Sequence, residues 1–176
     1  MTVAILDRRF GRQRVWVDSQ IGEDGRKYRG EKWAQAGPYG VVFAGDVGAA
    51  ELFIELVGNH PESSLREIGE LWAKKVKDAG YLDDDELPDV GVIVLSGMDA
   101  VYVIPPFGVS KIVEPFFAIG SGAKAALGAV HYGLQTSRKV EIPAVLQVVE
   151  TIDPNVSGPF IALEWTGDSW KIKRLT

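Results

Sequence analysis

Residues 2–19, Thr2-Val3-Ala4-Ile5-Leu6-Asp7-Arg8-Arg9-Phe10-Gly11-Arg12-Gln13-Arg14-Val15-Trp16-Val17-Asp18-Ser19, decide how the fold is read. Two runs rich in apolar, β-branched and aromatic residues, Thr2–Asp7 and Gln13–Ser19, flank a short polar segment that contains Gly11. That is the pattern of a β-hairpin. A turn centred on Phe10 pairs positions whose numbers sum to 20 and sets Thr2 opposite Asp18; a centre half a residue later sets it opposite Ser19. In either register the only carboxylate of the second run, Asp18, arrives beside residue 2.

From the hairpin the chain runs on through a charged loop around Gly22–Gly25 into strands at Tyr28–Ala36 and Tyr39–Ala44, separated by the break Gly37-Pro38. At Ala49 the period changes. Ala49, Leu52, Phe53, Leu56 and Val57 share one helical face, and Gly58-Asn59-His60-Pro61 stops the run. Ser64-Leu65-Arg66-Glu67 has the spacing of a capping box and opens a second helix with an apolar stripe of Leu65, Ile68, Leu71, Trp72 and Val76. Beyond the acidic run Asp83-Asp84-Asp85-Glu86, read as a solvated loop because it lacks the spacing and glycine of an EF-hand, strands are expected at Val90–Ser96, Ala100–Ile104 and Lys111–Ile119. Helices are expected at Ser121–Leu134 and Pro143–Ile152, the second with proline in its first turn. Phe160–Trp165 and Trp170–Arg174 close the chain as a hairpin around Gly167-Asp168.

Strands interrupted twice by a pair of helices argue against a doubly wound parallel sheet. They favour an α+β architecture, a four-layer αββα sandwich in which two stacked antiparallel sheets are flanked by helix pairs; stacking explains why Val90–Ser96 is apolar along almost its whole length. A length of 176 residues fits one domain, 1–176. Hydrophobic residues at 46% and charged residues at 24% exclude disordered, collagen-like and coiled-coil classes. Nineteen Lys and Arg against 24 Asp and Glu leave a net charge of −5, the wrong sign for holding phosphate backbones, so nucleic acid is not an expected partner. No apolar run reaches the ~18 residues of a membrane span. The N-terminus shows no signal peptide, and a cytoplasmic location is expected. The absence of cysteine excludes disulfides, thiolate metal sites and a cysteine nucleophile. His60 and His131 are too far apart in sequence for a spaced ligand pair, and Gly120-Ser121-Gly122-Ala123-Lys124 has neither Walker nor dinucleotide spacing, so no metal or cofactor is expected.

Chemistry concentrates on residue 2. Removal of Met1 would leave a threonine with a free α-amine at the start of a strand, so hydroxyl and base would share one residue. An α-amine of pKa ~7.7–8.0 has the basicity to take a hydroxyl proton near neutrality. The plain alternatives are an ordinary Thr2 and an aspartate that merely ends a strand.

Met1-Thr2-Val3-Ala4-Ile5 with Val17-Asp18-Ser19, Gly30-Glu31-Lys32, Phe43-Ala44-Gly45-Asp46, Ala118-Ile119-Gly120-Ser121-Gly122 and Asp153-Pro154-Asn155-Val156-Ser157-Gly158-Pro159 resembles the proteasome β-subunit and HslV peptidase family, in particular its small bacterial and phage-type members. The resemblance covers nearly the whole chain and implies the N-terminal-nucleophile (Ntn) hydrolase fold. It implies Thr2 as nucleophile, Asp18 as the aspartate after the second strand, and Lys32 as the lysine that lowers the pKa of the threonine. Lys32 matches with a short gap, without which Ala34 would stand in its place. Gly45 would supply the oxyanion-hole N–H and Ser121 would polarise the amine, or cap the following helix; Asp153 and Ser157 would be the late pair near the site. Also implied are a peptide or unfolded-protein substrate, a homo-oligomeric ring and room for an ATPase partner. A member that keeps Met1 would instead be a non-catalytic assembly or binding module, and a third reading keeps the nucleophile but hydrolyses a small amide.

Overall fold

The computed structural model describes residues 2–23, 26–81, 90–104, 108–136 and 139–174, and of residues 20–29 the backbone alone. The acidic run 83–86 lies outside the described residues. Two compact units divide the chain: residues 1–32, 114–164 and 171–176 form the first, and 33–113 with 165–170 the second.

The first unit is built on the expected hairpin. Strands β1 (Ala4–Asp7) and β2 (Gln13–Asp18) are joined by a short 3-10 turn at Arg9–Gly11. They are central strands of an antiparallel sheet that also contains β10 (Phe116–Ile119), β11 (Phe160–Trp165) and β12 (Trp170–Arg174), in the order β10-β1-β2-β11-β12. Helices α3 (Ala123–Thr136) and α4 (Ile142–Ile152) pack on one face of this sheet. Their buried residues Ala126, Val130, Leu146 and Val149 meet Val3 and Ile5. The alternate residues Ala4 and Leu6 are buried as well, so the apolar run Val3–Leu6 has no exposed face. A separate two-stranded ribbon, β3 (Gln20–Glu23) with β4 (Arg26–Arg29), leaves the end of β2.

The second unit holds β5 (Trp33–Ala36), β6 (Tyr39–Gly45), β7 (Val90–Ser96), β8 (Asp99–Ile104) and β9 (Gly108–Lys111), antiparallel and in sequence order. Helices α1 (Val47–Asn59) and α2 (Leu65–Asp78) cover it. Phe53 meets Trp72 edge-on at 4.9 Å between ring centres, and the Trp72 indole N–H donates to the Ala49 carbonyl at 2.7 Å. The expected capping box of α2 is formed: Ser64 Oγ accepts from the Glu67 N–H at 3.3 Å and Glu67 Oε2 accepts from the Ser64 N–H at 2.7 Å.

Two expected strands are each two. Tyr28–Ala36 divides into β4 and β5, which belong to different sheets, with Gly30, Glu31 and Lys32 between them. Lys111–Ile119 divides likewise, β9 pairing with β8 and β10 pairing with β1, and Pro115 lies in the break. In both places β-forming residues flank a short break of poorer strand formers, Gly30-Glu31-Lys32 in one and Glu114-Pro115 in the other, and propensity alone does not report that the ladder partner changes there. β3 replaces part of the expected charged loop; Gly22 and its charged neighbours have loop-like composition, but the backbone pairs with β4. The two antiparallel sheets and two helix pairs agree with the α+β architecture expected.

Candidate active site

Register comes first. Ala4 pairs with Val17 and Asp7 with Arg14, so paired numbers sum to 21 and the hairpin centre lies between Phe10 and Gly11. Phe10 and Gly11 both take left-handed backbone conformations, φ 60° and 66°, to make the turn. Continued to the strand end, this register sets Asp18 beside Val3 and Ser19 opposite Thr2, which corrects the Phe10-centred alternative. The Asp18 N–H indeed donates to the Val3 carbonyl at 3.3 Å.

Asp18 reaches residue 2 through its side chain. Its Oδ1 accepts from the Val3 N–H at 3.0 Å and from Thr2 Oγ1 at 2.5 Å. The Gly30 N–H donates to the Ser19 carbonyl at 2.9 Å, which lays the segment 30–32 against the end of β2. Lys32 is carried in by that segment. Its Nζ donates to Asp18 Oδ2 at 3.0 Å, to Asp18 Oδ1 at 3.1 Å and also to Thr2 Oγ1. Thr2 and Asp18 are each 1% exposed and Lys32 4%, so the three groups share one enclosed space. The alternative at Ala34 is absent from it: Ala34 lies in β5, where its carbonyl accepts from the Trp170 indole at 3.0 Å.

A buried ion pair is tolerable only when further hydrogen bonds satisfy its remaining donors and lone pairs. Here the Val3 N–H and the Thr2 hydroxyl do so. Burial pulls the Lys32 ammonium below its ordinary pKa, and the neighbouring Asp18 carboxylate only partly offsets the pull. Thr2 Oγ1 therefore donates to a carboxylate while it accepts from an ammonium whose proton is loosened. A hydroxyl so placed is polarised in the sense nucleophilic attack requires.

The carbonyl side of Thr2 is held separately. The Gly122 N–H donates to it at 3.3 Å, and Ser121 Oγ lies 3.4 Å from it. Ser121 also hydrogen-bonds the carboxylate of Asp153, the residue that ends α4. Although burial opposes ionisation of Asp153, hydrogen bonds from Ser121 and from the N–H and side-chain amide of Asn155 hold its carboxyl below the ordinary range. Ser157 follows in the same loop, half-buried. Gly45 belongs to the other unit, where it ends β6 with φ 102° just before Asp46, whose carboxylate caps α1 by accepting from the Ala49 N–H at 2.8 Å.

Five of the seven expected residues thus form one connected network: Thr2, Asp18 and Lys32 about the hydroxyl, Ser121 and Asp153 behind the carbonyl. Asn155 carries no expected role of its own beyond its place in a motif. Its spacing two residues after an aspartate is the one local signal that could have raised it. Among the described residues no group of three or more His, Cys, Asp or Glu could hold a metal ion, and no helix is long and apolar enough to cross a membrane.

No protein-family model matches this chain, and no curated protein matches it in sequence. Solved structures do, and together they define a class: the chain has the fold of HslV-like, proteasome-type Ntn hydrolases. BPH of Thiobacillus denitrificans in complex with epoxomicin superposes with a TM-score of 0.68 at 20% identity, over 93% of this chain and 97% of that one. HslV of Trypanosoma brucei gives 0.67 at 17% identity, over 92% and 98%. Anbu of Hyphomicrobium sp. strain MC1 gives 0.71 at 13% identity, over 98% and 86%. The fold implied by the sequence resemblance is the fold observed.

Proposed function

We propose that this chain is a threonine peptidase of the Ntn type, acting through Thr2 once Met1 has been removed. The observation that carries the reading is the enclosed Thr2 hydroxyl, bonded to both Asp18 and Lys32. The fold neighbour determined with epoxomicin supports it.

In the proposed reaction Thr2 Oγ1 attacks the substrate carbonyl carbon and its proton passes to the α-amine of the same residue. The carbonyl π pair moves to oxygen, and the Gly45 N–H is assigned to that oxyanion. Collapse breaks the C–N bond, and the α-ammonium returns its proton to the departing amine. Water, deprotonated by the same α-amine, then hydrolyses the ester and restores the hydroxyl. Lys32 keeps positive charge beside Oγ1, and Asp18 keeps Lys32 in place. Ser121, backed by Asp153, is assigned to the amine, and Ser157 to the support of Asp153. No cofactor enters the scheme. A peptide or unfolded-protein substrate, a homo-oligomeric ring, an ATPase partner and a cytoplasmic setting belong to the same reading, with residues 1–176 as one catalytic domain.

The test is hydrolysis of a fluorogenic peptide library and of simple amides by the chain expressed to begin at Thr2, beside its Thr2→Ala variant. Peptide cleavage that Thr2→Ala abolishes is the expected result. Cleavage of simple amides alone would move the reading to a small amidase. No turnover of either, with Met1 retained in the natural product, would favour an assembly or binding module.

A further inference from the structure

We propose that Gly120 and Asn155 are positioning residues that fix the direction of the residue-2 α-amine, an inference that rests on the peptidase reading. The carbon Cα of Thr2 carries three heavy substituents: the amine nitrogen, the carbonyl and the side chain. The side chain is pinned by Asp18 and Lys32, and the carbonyl by the segment 120–122. With two of the three held at a tetrahedral centre, the third has no freedom left.

The carbonyl side makes two demands of residues outside the hydroxyl cluster. The first is space. Gly120 has φ 93°, and a Cβ built there would stand 2.1 Å from the Thr2 carbonyl oxygen and 2.8 Å from its carbon. Any side chain at 120 displaces residue 2 or gives up the left-handed backbone that aims the Gly122 N–H at it. The second is a fixed Ser121. Its hydroxyl has one proton and two acceptors in reach, the Thr2 carbonyl at 3.4 Å and the Asp153 carboxylate, so the orientation of Asp153 decides how far that proton is available to the carbonyl. Asp153 is itself oriented by Asn155, whose N–H and Nδ2 both donate to Oδ1, at 2.9 and 3.1 Å. A chain of contacts thus runs from Asn155 through Asp153 and Ser121 to the Thr2 carbonyl. Asn155 lies in the loop between α4 and β11, so truncating it removes no helix or strand hydrogen bond.

The experiment compares Gly120→Ala and Asn155→Ala in the full chain beginning at Thr2, with Gly40→Ala as control. A Cβ at Gly40 would come within 2.6 Å of Trp170, both in the second unit, a comparable crowding within the unit that does not contain residue 2. The expected result is a fall in kcat of about 100-fold for Gly120→Ala and about tenfold for Asn155→Ala, with KM within about twofold. The α-amine pKa, followed by NMR, should move by about half a unit or more in both, a change of about threefold or more in its proton affinity. Gly40→Ala should keep kcat and the amine pKa whatever it loses in stability. Unchanged kcat and unchanged amine pKa in Asn155→Ala would overturn the proposal, as would an equal loss of kcat in Gly40→Ala. The amine pKa can be read whether or not the chain cleaves peptides, so the positioning role stands or falls separately from the peptidase reading; should Gly120→Ala not fold, Asn155→Ala decides alone.

Discussion

Both units lay a helix pair on an antiparallel sheet, yet what they bury differs. In the unit of α1 and α2 the interior is Phe53, Trp72, Ile68 and the valines of β7, and the indole N–H of the fully buried Trp72 is bonded to a helix carbonyl. The non-aromatic polar side chains buried among the described residues, Thr2, Gln13, Asp18, Ser19 and Lys32, all lie in the other unit. Three of them satisfy one another. The Gln13 amide and the Ser19 hydroxyl have no hydrogen-bond partner, whereas the unpartnered buried atoms of the α1–α2 unit are the indole nitrogens of Trp33 and Trp165, single donors on large apolar rings. Burying a polar group without a partner costs roughly 1–3 kcal/mol on mutational scales. One unit is therefore packed chiefly for stability, whereas the other gives some up in buried polar groups, one of them, Ser19, next to Asp18 in the residues assigned to chemistry.

That contrast can be broken most forcefully at Lys32. Lys32→Ala leaves the Asp18 carboxylate buried without its cation, and we expect a loss of about 3–5 kcal/mol in urea unfolding together with all activity. The double variant Asp18→Asn with Lys32→Met should recover most of the stability and none of the activity. Recovery of both would mean the pair serves folding alone. In the opposite unit, Trp72→Phe removes the hydrogen bond to Ala49 and part of the packing against Phe53. It should cost about 1–3 kcal/mol while leaving the reactivity of Thr2 as it was. Ser64→Ala opens the capping box of α2 for about 1 kcal/mol, a fall of about 2–4 °C in Tm, again with the site untouched. The smallest effect concerns Asp153. Its folded pKa is depressed, so its contribution to stability is present above the ordinary aspartate value of ~3.9 and is lost as pH falls through the lower folded value. Its partial exposure keeps that contribution small, and Asp153→Asn should flatten only this acid limb of the unfolding profile.

What could be read in advance follows the same division. The helices were legible because their apolar stripes, the Ser64 capping box and the Pro143 start are local features. The hairpin was legible in outline, but its register turned on half a residue at Phe10, a left-handed conformation that no propensity assigns to phenylalanine. The divisions at 30–32 and 112–115 were not legible, since β-forming residues stand on both sides of each and only the partner strand changes. Lys32 shows the consequence. Read as part of a strand, it is a lysine matched to a motif only through a short gap; placed in the break between β4 and β5, it is a buried cation bonded to Asp18. Thr2 and Asp18 were legible from the hairpin and from the chemistry of an N-terminal threonine, and Ser121 and Asp153 came through resemblance, whereas the part played by Asn155 depends on which way one carboxylate oxygen faces, and a string of residues holds no record of that.

In the proposed reaction the α-nitrogen and hydroxyl of residue 2 act together. A peptide epoxyketone tests this directly, because ring closure needs the hydroxyl to add to the ketone and the amine of the same residue to open the epoxide. The measurement is the intact mass of the natural product after exposure to the reagent. A mass lacking Met1 and increased by one inhibitor, with no such increase in Thr2→Ala, is the predicted result; a chain that retains Met1 and takes up no inhibitor would contradict it.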